Sequence, residues 1–347
     1  MRQESRERVL APVIRRRAPG AVDALPESLN PVLRRVYAAR GISHPDELAL
    51  ELRHLLPVST LDGIGQATGL LADHLERGSR ILVVGDFDAD GATSTALVLR
   101  QLRRLGHDNV VFRVPDRMRH GYGLTPALVA DLAGEPADLL ITVDNGVSAL
   151  AGVESAKALG MQVLVTDHHL PGPNLPACAA MVNPNLAGAG FGSRALAGVG
   201  VAFYLMASLT RELESRRGCK LPAVADLLDL VALGTVADLV PLDRNNRILV
   251  QEGLKRVRAR LAAPGLIALA QVAGCRLEEL SARHLGHQIA PRLNAAGRID
   301  DMSVGIRCLL TDDWAEALTY ARELDRLNRE RREMEVRMRD EAAIAVR

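Results

Sequence analysis

Three carboxylates within five residues, Asp86, Asp88 and Asp90 of GDFDADG, are the densest chemistry in the chain. Asp88 and Asp90 lie two apart, so on extended backbone they point the same way. Two anions held like that repel unless a positive charge sits between them, and a divalent cation is the simplest such charge. Two other stretches carry the same kinds of side chain, Asp144-Asn145-Gly146 and Asp167-His168-His169. A fourth candidate is Asp238, in GTVADLVPL. Taken singly, an Asp-Gly pair is most often a turn. Carboxylate and imidazole without thiolate suit manganese, magnesium or a related ion better than structural zinc. Several carboxylates round one cleft also suit two ions about 3.5–4 Å apart, the arrangement that activates water in phosphoryl displacement.

These groups can meet only if parallel strands deliver them to one edge. Ile81–Val84 is a continuous apolar run, the mark of a strand buried on both faces. Further strands are expected at 110–114, 139–143, 163–166 and 180–182, with helices at 92–105, 126–132 and 149–159 between them. That alternation implies βαβ units and an α/β, doubly wound, mainly parallel five-stranded sheet flanked by helices. Ligands of such sheets bind outside the carboxyl ends of the strands. Asp86 to Asp90, Asp144 and His168 all follow strand ends on this reading. After a glycine-rich loop at 188–192, helices are expected at 199–216, 224–232 and 247–260, with a connector at 218–222.

Before Ile81 the chain reads as a helical N-terminal segment, 1–78, with helix starts at Pro26-Glu27-Ser28 and Ser43-His44-Pro45-Asp46. His54 and His74 sit there on apolar faces and read as structural. The domain with the chemistry spans 79–313. The last segment, 314–347, reads as one long connector helix with Leu318, Ala321, Leu324, Leu327, Met334 and Met338 near one face. It shows no glycine or proline stop, which suggests that it leads into a further domain.

The chain has 347 residues, 48% hydrophobic and 24% charged, as in an ordinary soluble protein. A net charge of +1 gives no global pull toward nucleic acid or membrane. Lysine occurs only at 157, 220 and 255, so arginine at a given site says little by itself. Cys178, Cys219, Cys275 and Cys308 are far apart and suit free thiols of a reducing cytoplasm. No apolar run approaches the ~18 residues of a membrane span, and MRQESRERVLAPVIRRR lacks a signal-peptide core.

GDFDADG, TVDNG, TDHH and GTVADLVPL together resemble the DHH phosphoesterase superfamily. Within it, VPDRMRHGYGL, LAGVGVAFYL and APRLNAAGRIDDMS resemble the RecJ family of single-strand-specific DNA exonucleases. The resemblance implies that Asp88, Asp90, Asp144, His168 and Asp238 hold two divalent ions, Mn²⁺ or Mg²⁺, with Asp144 between them. It implies that His169 touches the scissile phosphate and that Asp86 and Asp167 orient the ligands, with Asn145 orienting or shaping the turn. Arg298 matches an arginine at that phosphate and Arg117 one near the 5′ end of the strand. Arg292, Asn294 and Tyr122 are further substrate-binding candidates, Tyr122 as a stacking platform or a loop anchor. Val84 stands where many members have a histidine ligand, which would leave the first ion with fewer protein ligands and more water.

The expected activity is then metal-dependent hydrolysis of single-stranded DNA, 5′ to 3′, to mononucleotides in DNA repair and recombination. The implied partners are single-stranded DNA and, through regions beyond this stretch, a single-strand-binding protein and a helicase, with the chain itself a monomer. Two alternatives differ in substrate or in kind. One is a phosphodiesterase of short oligonucleotides or cyclic dinucleotides; the other is a silent nucleic-acid-binding module. Aromatics make up only 3%, and no all-β segment follows the final helix. A catalytic core that binds single strands weakly and with steep salt dependence is therefore expected.

Overall fold

Apolar runs too short to shield themselves dictate the architecture. Ile81–Val84 (β1), Val110–Arg113 (β2), Leu139–Val143 (β3), Gln162–Thr166 (β4) and Ala180–Val182 (β5) pair in parallel in the order β2-β1-β3-β4-β5. The computed structural model describes residues 20, 22–135 and 137–345. The N-terminal stretch read for a signal peptide, and residues 346–347 of the expected last helix, lie outside them.

The chain divides into two compact units, Met1–Leu50 and Glu51–Arg347. In the first, α1 (Pro31–Ala38) starts on Asn30, whose side chain accepts the Val32 N–H at 2.9 Å. A helix expected from Pro26 is absent, because Asn30 with proline just after it is the stronger start. Leu25, Ala38 and Ile42 form this unit's small core. The division falls at residue 50, whereas the sequence suggested 78, because α2 (Ile64–Glu76) packs on β5 within the second unit. In α2, His74 is structural, its ring bonded to Ser79 and Gln162 at 2.9 and 2.8 Å.

In the second unit the strands bury both faces. Leu82, Val84, Leu140, Val163 and Val165 pack with α4 (Pro126–Asp131) and α5 (Leu150–Ala158). Ile81, Val83, Leu139, Ile141 and Leu164 pack with α3 (Ala89–Arg104) and α6 (Gly198–Arg217) on the other face. Each such side chain contributes roughly 1.5–3 kcal/mol through burial. The chain therefore winds to both sides, and β1 and β3 flank the point where strand order reverses.

Next comes α7 (Leu228–Ala237), five residues longer at its end than expected and preceded by a 3₁₀ turn at Val224–Leu227. It is apolar on all sides and buried among α3, α6 and α8 (Arg244–Arg258). Among the described residues, three helices of eight residues or more were not foreseen: α9 (Pro264–Val272), α10 (Ala290–Ile299) and α11 (Ser303–Leu310). A π-helical stretch, Leu285–Ile289, leads into α10. The last helix, α12 (Trp314–Ala345), only partly matches the expected connector. Its proximal Ala317, Ala321, Leu324 and Leu327 are buried against α9, α10 and α11, whereas Met338 is exposed.

Candidate metal centre

Asp86, Asp88 and Asp90 leave the sheet just after β1. The Asp86 side chain is buried and accepts its neighbour Phe87's N–H at 2.7 Å. Burial, and then the charge of Asp88, push its pKa up to about 7. Asp88 is the N-cap of α3 and accepts the Gly91 N–H at 2.9 Å. A capping carboxylate turns the backbone into the helix, so Asp90 sits in the first turn and the pair do not share one extended face as their spacing suggested.

Asp90 is 1% exposed, yet its carboxylate is not isolated. One oxygen accepts the Gly198 N–H at 2.6 Å and the other the Val199 N–H at 3.0 Å. These are the first two residues of α6, whose unpaired N–H groups and dipole favour an anion. Burial, and then Asp238, still hold its pKa well above the usual carboxylate value. The helices can come this close only because two residues lack side chains. A Cβ on Gly234 of α7 would lie 2.7 Å from Asp90 Oδ1, and one on Gly198 would lie 2.6 Å from Asp144 Cβ.

Asp144 follows β3 with φ 62°, a left-handed conformation uncommon outside glycine. Asn145 ties the neighbouring strand ends together, donating to the carbonyls of Val84 at 3.1 Å and Val143 at 2.9 Å. After β4, Asp167 accepts four hydrogen bonds, from the N–H groups of His168, His169 and Val147 and from His169 Nδ1. Burial works against its charge, but the bond and charge of His169 and the Val147 N–H outweigh it and keep the pKa low. His169 gains in return: the Asp167 bond raises its pKa against the effect of burial. Burial, and then the charge of His169, bring His168 down to about 4, so it is a neutral imidazole at neutral pH.

The strand ends bring these donors together. Among the described residues, three overlapping sets have ligand atoms within 4.8 Å of one another: Asp86, Asp88 and Asp144; Asp90, His168 and Asp238; and Asp144, His168 and His169. His168 Nε2 lies 3.0 Å from Asp144 Oδ1, 3.6 Å from Asp238 Oδ2 and 3.9 Å from Asp90 Oδ2. Asp238, at the end of α7, is half-buried, and burial followed by Asp88 pushes its pKa up to about 6. Asp144 Oδ1 and His168 Nε2 face each other, buried, without a hydrogen-bond partner. Buried lone pairs of this kind are costly unless something satisfies them, and an oxygen-and-imidazole set fits a hard divalent cation. Asp86 stands inside this cluster, beside Asp88 and Asp144, where the sequence had put it in a supporting position.

The other candidates separate. Arg117 and Arg298 line one cleft of about 730 Å³, with the Arg117 guanidinium 4.8 Å over the Phe87 ring. Tyr122 donates to the Asp144 carbonyl at 3.4 Å, its hydroxyl 3.3 Å from His169 Nε2 and its ring edge-on to Phe87 and His169. Arg292 points elsewhere: it pairs with Asp325 of α12 at 2.9 Å. Asn294 accepts the Ala89 N–H at 2.7 Å and so steadies the start of α3. Val84 is fully buried in the apolar layer under α4 and α5 and offers no donor. Sequence reasoning missed Gly234 and the α6 N–H groups; LAGVGVAFYL, with glycines at a helix start, was the available signal.

The family model for the DHH family, N-terminal domain, matches residues 80–235. The chain is 53% identical over 332 residues, 94% of its length, to the single-stranded-DNA-specific exonuclease RecJ of Dickeya dadantii, and 38% identical over 328 residues to that of Bacillus subtilis. It spans 58% of the first protein and 40% of the second. A crystal structure of exonuclease RecJ bound to manganese superposes with a TM-score of 0.73 at 39% identity, covering 82% of this chain and 70% of that one. A RecJ of Thermus thermophilus in complex with Mn²⁺ gives 0.76 at 37% identity, covering 92% and 44%.

Proposed function

This chain belongs to the RecJ family of DHH phosphoesterases, and on that premise we propose that it hydrolyses single-stranded DNA from 5′ to 3′, releasing mononucleotides in DNA repair and recombination. The observation that carries the reading is the convergence of carboxylates and imidazole at the strand ends. Asp88, Asp90, Asp144, His168 and Asp238 would hold two divalent ions, Mn²⁺ or Mg²⁺, with Asp144 common to both. Such ions supply Lewis-acid polarisation of phosphoryl oxygens and activation of water.

The protein's own groups do the rest. Asp167 grips Nδ1 of His169 and favours the protonated ring, whose Nε2–H, 3.3 Å from the Tyr122 hydroxyl, can turn its donation to a phosphoryl oxygen. Asp86 stands beside Asp88 and Asp144, its carboxylate within 4.8 Å of theirs. Arg117 and Arg298 are exposed, and among the described residues neither is in an ion pair, so both guanidiniums are available to phosphate. Tyr122 keeps His169 in line. Arg292 and Asn294 act at a distance, by fixing α10 on α12 and the start of α3.

In a nuclease assay with Mn²⁺ and labelled single strands, Asp144→Ala is expected to lose at least about a hundredfold in rate. Undiminished cleavage by that variant sinks the assignment. Strands of graded length in the same assay separate this activity from that of a short-oligonucleotide phosphodiesterase. The reading also takes the chain as a cytoplasmic monomer that meets a single-strand-binding protein and a helicase on its substrate. The family supports those partners, and the four free cysteines support the compartment. No described helix is long and apolar enough to cross a membrane.

A further inference from the structure

The rings of Phe87, Tyr122 and His169 form a row beside the candidate metal centre, with successive centroids 5.9 Å apart. The two flanks of this row differ in chemistry. On the Phe87 side lies the 730 Å³ cleft, whose lining includes Arg103, Arg117, Arg298 and Arg307. None of these four is in an ion pair among the described residues, although many other arginines of the chain are. On the Tyr122 and His169 side is a second recess of about 600 Å³, within the usual size of small-molecule sites. Its wall is largely apolar, with Pro126, Val147 and Leu150 among the lining residues.

The polar side chains of this recess are already engaged. Thr125 donates to the His120 carbonyl and accepts the Leu128 N–H. Both oxygens of Asp167 are taken by Val147, His168 and His169, and the Tyr122 hydroxyl by Asp144 and His169. Only Ser148, exposed at the rim, keeps a free hydroxyl among the described residues. A nucleic-acid strand has an anionic thread and uncharged rings, and the two flanks divide along that line: guanidiniums for one, apolar surface for the other. A phosphate at His169 carries a sugar and base on either side, and the recess shares His169 as its wall.

We propose that this recess seats the base of one of the two nucleotides joined by the scissile phosphodiester. The base is held by stacking and apolar contact, with its identity unread. The proposal rests on the reading that the adjoining centre cleaves single-stranded DNA. Stacking tolerates any base because every base has a π-face, so the recess distinguishes a ring from no ring and accepts all four rings.

The test uses labelled single strands carrying a tetrahydrofuran abasic residue at the terminal or the penultimate position, against intact strands ending in each base. With Mn²⁺ present, the abasic residue at one of the two positions should lower kcat/KM by roughly tenfold or more, while the four intact ends are cleaved at similar rates. Leu150 is 44% exposed and opens α5, where a carboxylate suits the helix dipole, so Leu150→Asp should fold. It should bring the intact-to-abasic ratio toward one, and Leu150→Met should keep it. Mn²⁺ binding measured by titration should be the same in all three proteins. Equal cleavage of intact and abasic strands at both positions by the wild type overturns the proposal and leaves the nuclease reading standing. Equal slowing of both strands in Leu150→Asp also overturns it. If the wild type cleaves none of the strands, the reading and the proposal fall together.

Discussion

His169 is tuned to favour a proton, whereas its neighbour His168 keeps a lone pair. The two rings are 4.4 Å apart, and their environments push them in opposite directions. Asp167 sits within bonding distance of one ring and stabilises its imidazolium, while burial keeps the other neutral. A protonated ring cannot ligate a cation but can donate to phosphate. His169→Gln should therefore lower kcat by roughly a hundredfold, the loss typical of one transition-state donor, and leave Mn²⁺ affinity nearly unchanged. Steady-state kinetics beside a Mn²⁺ titration checks this; a collapse of binding would make His169 a ligand. Residue types of this kind were legible before any fold was known, because aspartates and paired histidines at the ends of apolar runs have few structural uses. The bond partners were not. Arg292 and Asn294 belong to one motif, yet one turns to Asp325 and the other to Ala89, and only the packing of α12 and α3 decides that.

The approach of α6 and α7 is what makes the buried carboxylates tolerable. The first two N–H groups of α6 neutralise Asp90 in part, and Gly234 lets α7 lie against it. In Gly234→Ala the new methyl would meet Asp90 Oδ1 at 2.7 Å and Thr93 Oγ1 at 2.2 Å. The expected cost is about 1–3 kcal/mol of stability from overpacking, together with a Mn²⁺ affinity reduced by roughly tenfold. Thermal unfolding and a Mn²⁺ titration on the same sample read both; destabilisation with unaltered affinity would show that the contact does not position Asp90. The strands were legible almost to the residue, since a buried parallel strand is simply a short apolar run. Helix ends were less so. The helix expected at 224–232 runs on to Ala237, passing through Gly234 because tertiary contact outweighs glycine's cost of roughly 1 kcal/mol. The stretch from α9 to α11 escaped notice for a related reason: these helices are short and stabilised by packing against α12.

For the molecule as a whole, an almost neutral chain gathers five aspartates, Asp86, Asp88, Asp90, Asp144 and Asp238, round one point. Burial and mutual repulsion raise the pKa values of Asp86, Asp90, Asp144 and Asp238 together. A cation that binds only the folded state should relieve this, adding about 2.7 kcal/mol when present at 100 times its Kd. Differential scanning fluorimetry with Mn²⁺ against a chelator should show a rise in Tm of a few degrees, absent in Asp144→Ala; no rise in the wild type would count against a metal centre. The bond from Ala89 to Asn294 joins residues 205 apart, and Arg100 on α3 reaches still further, to the carbonyls ending α11. On a ribosome adding about 5–20 residues per second, roughly ten to forty seconds separate the synthesis of Asp90 from that of Asn294. Over that interval the first carboxylates have emerged but the helix that bears them lacks its restraint. On the proposed activity, a nascent chain stalled before Asn294 should leave single strands intact, and cleavage would be confined to molecules whose translation has passed α10.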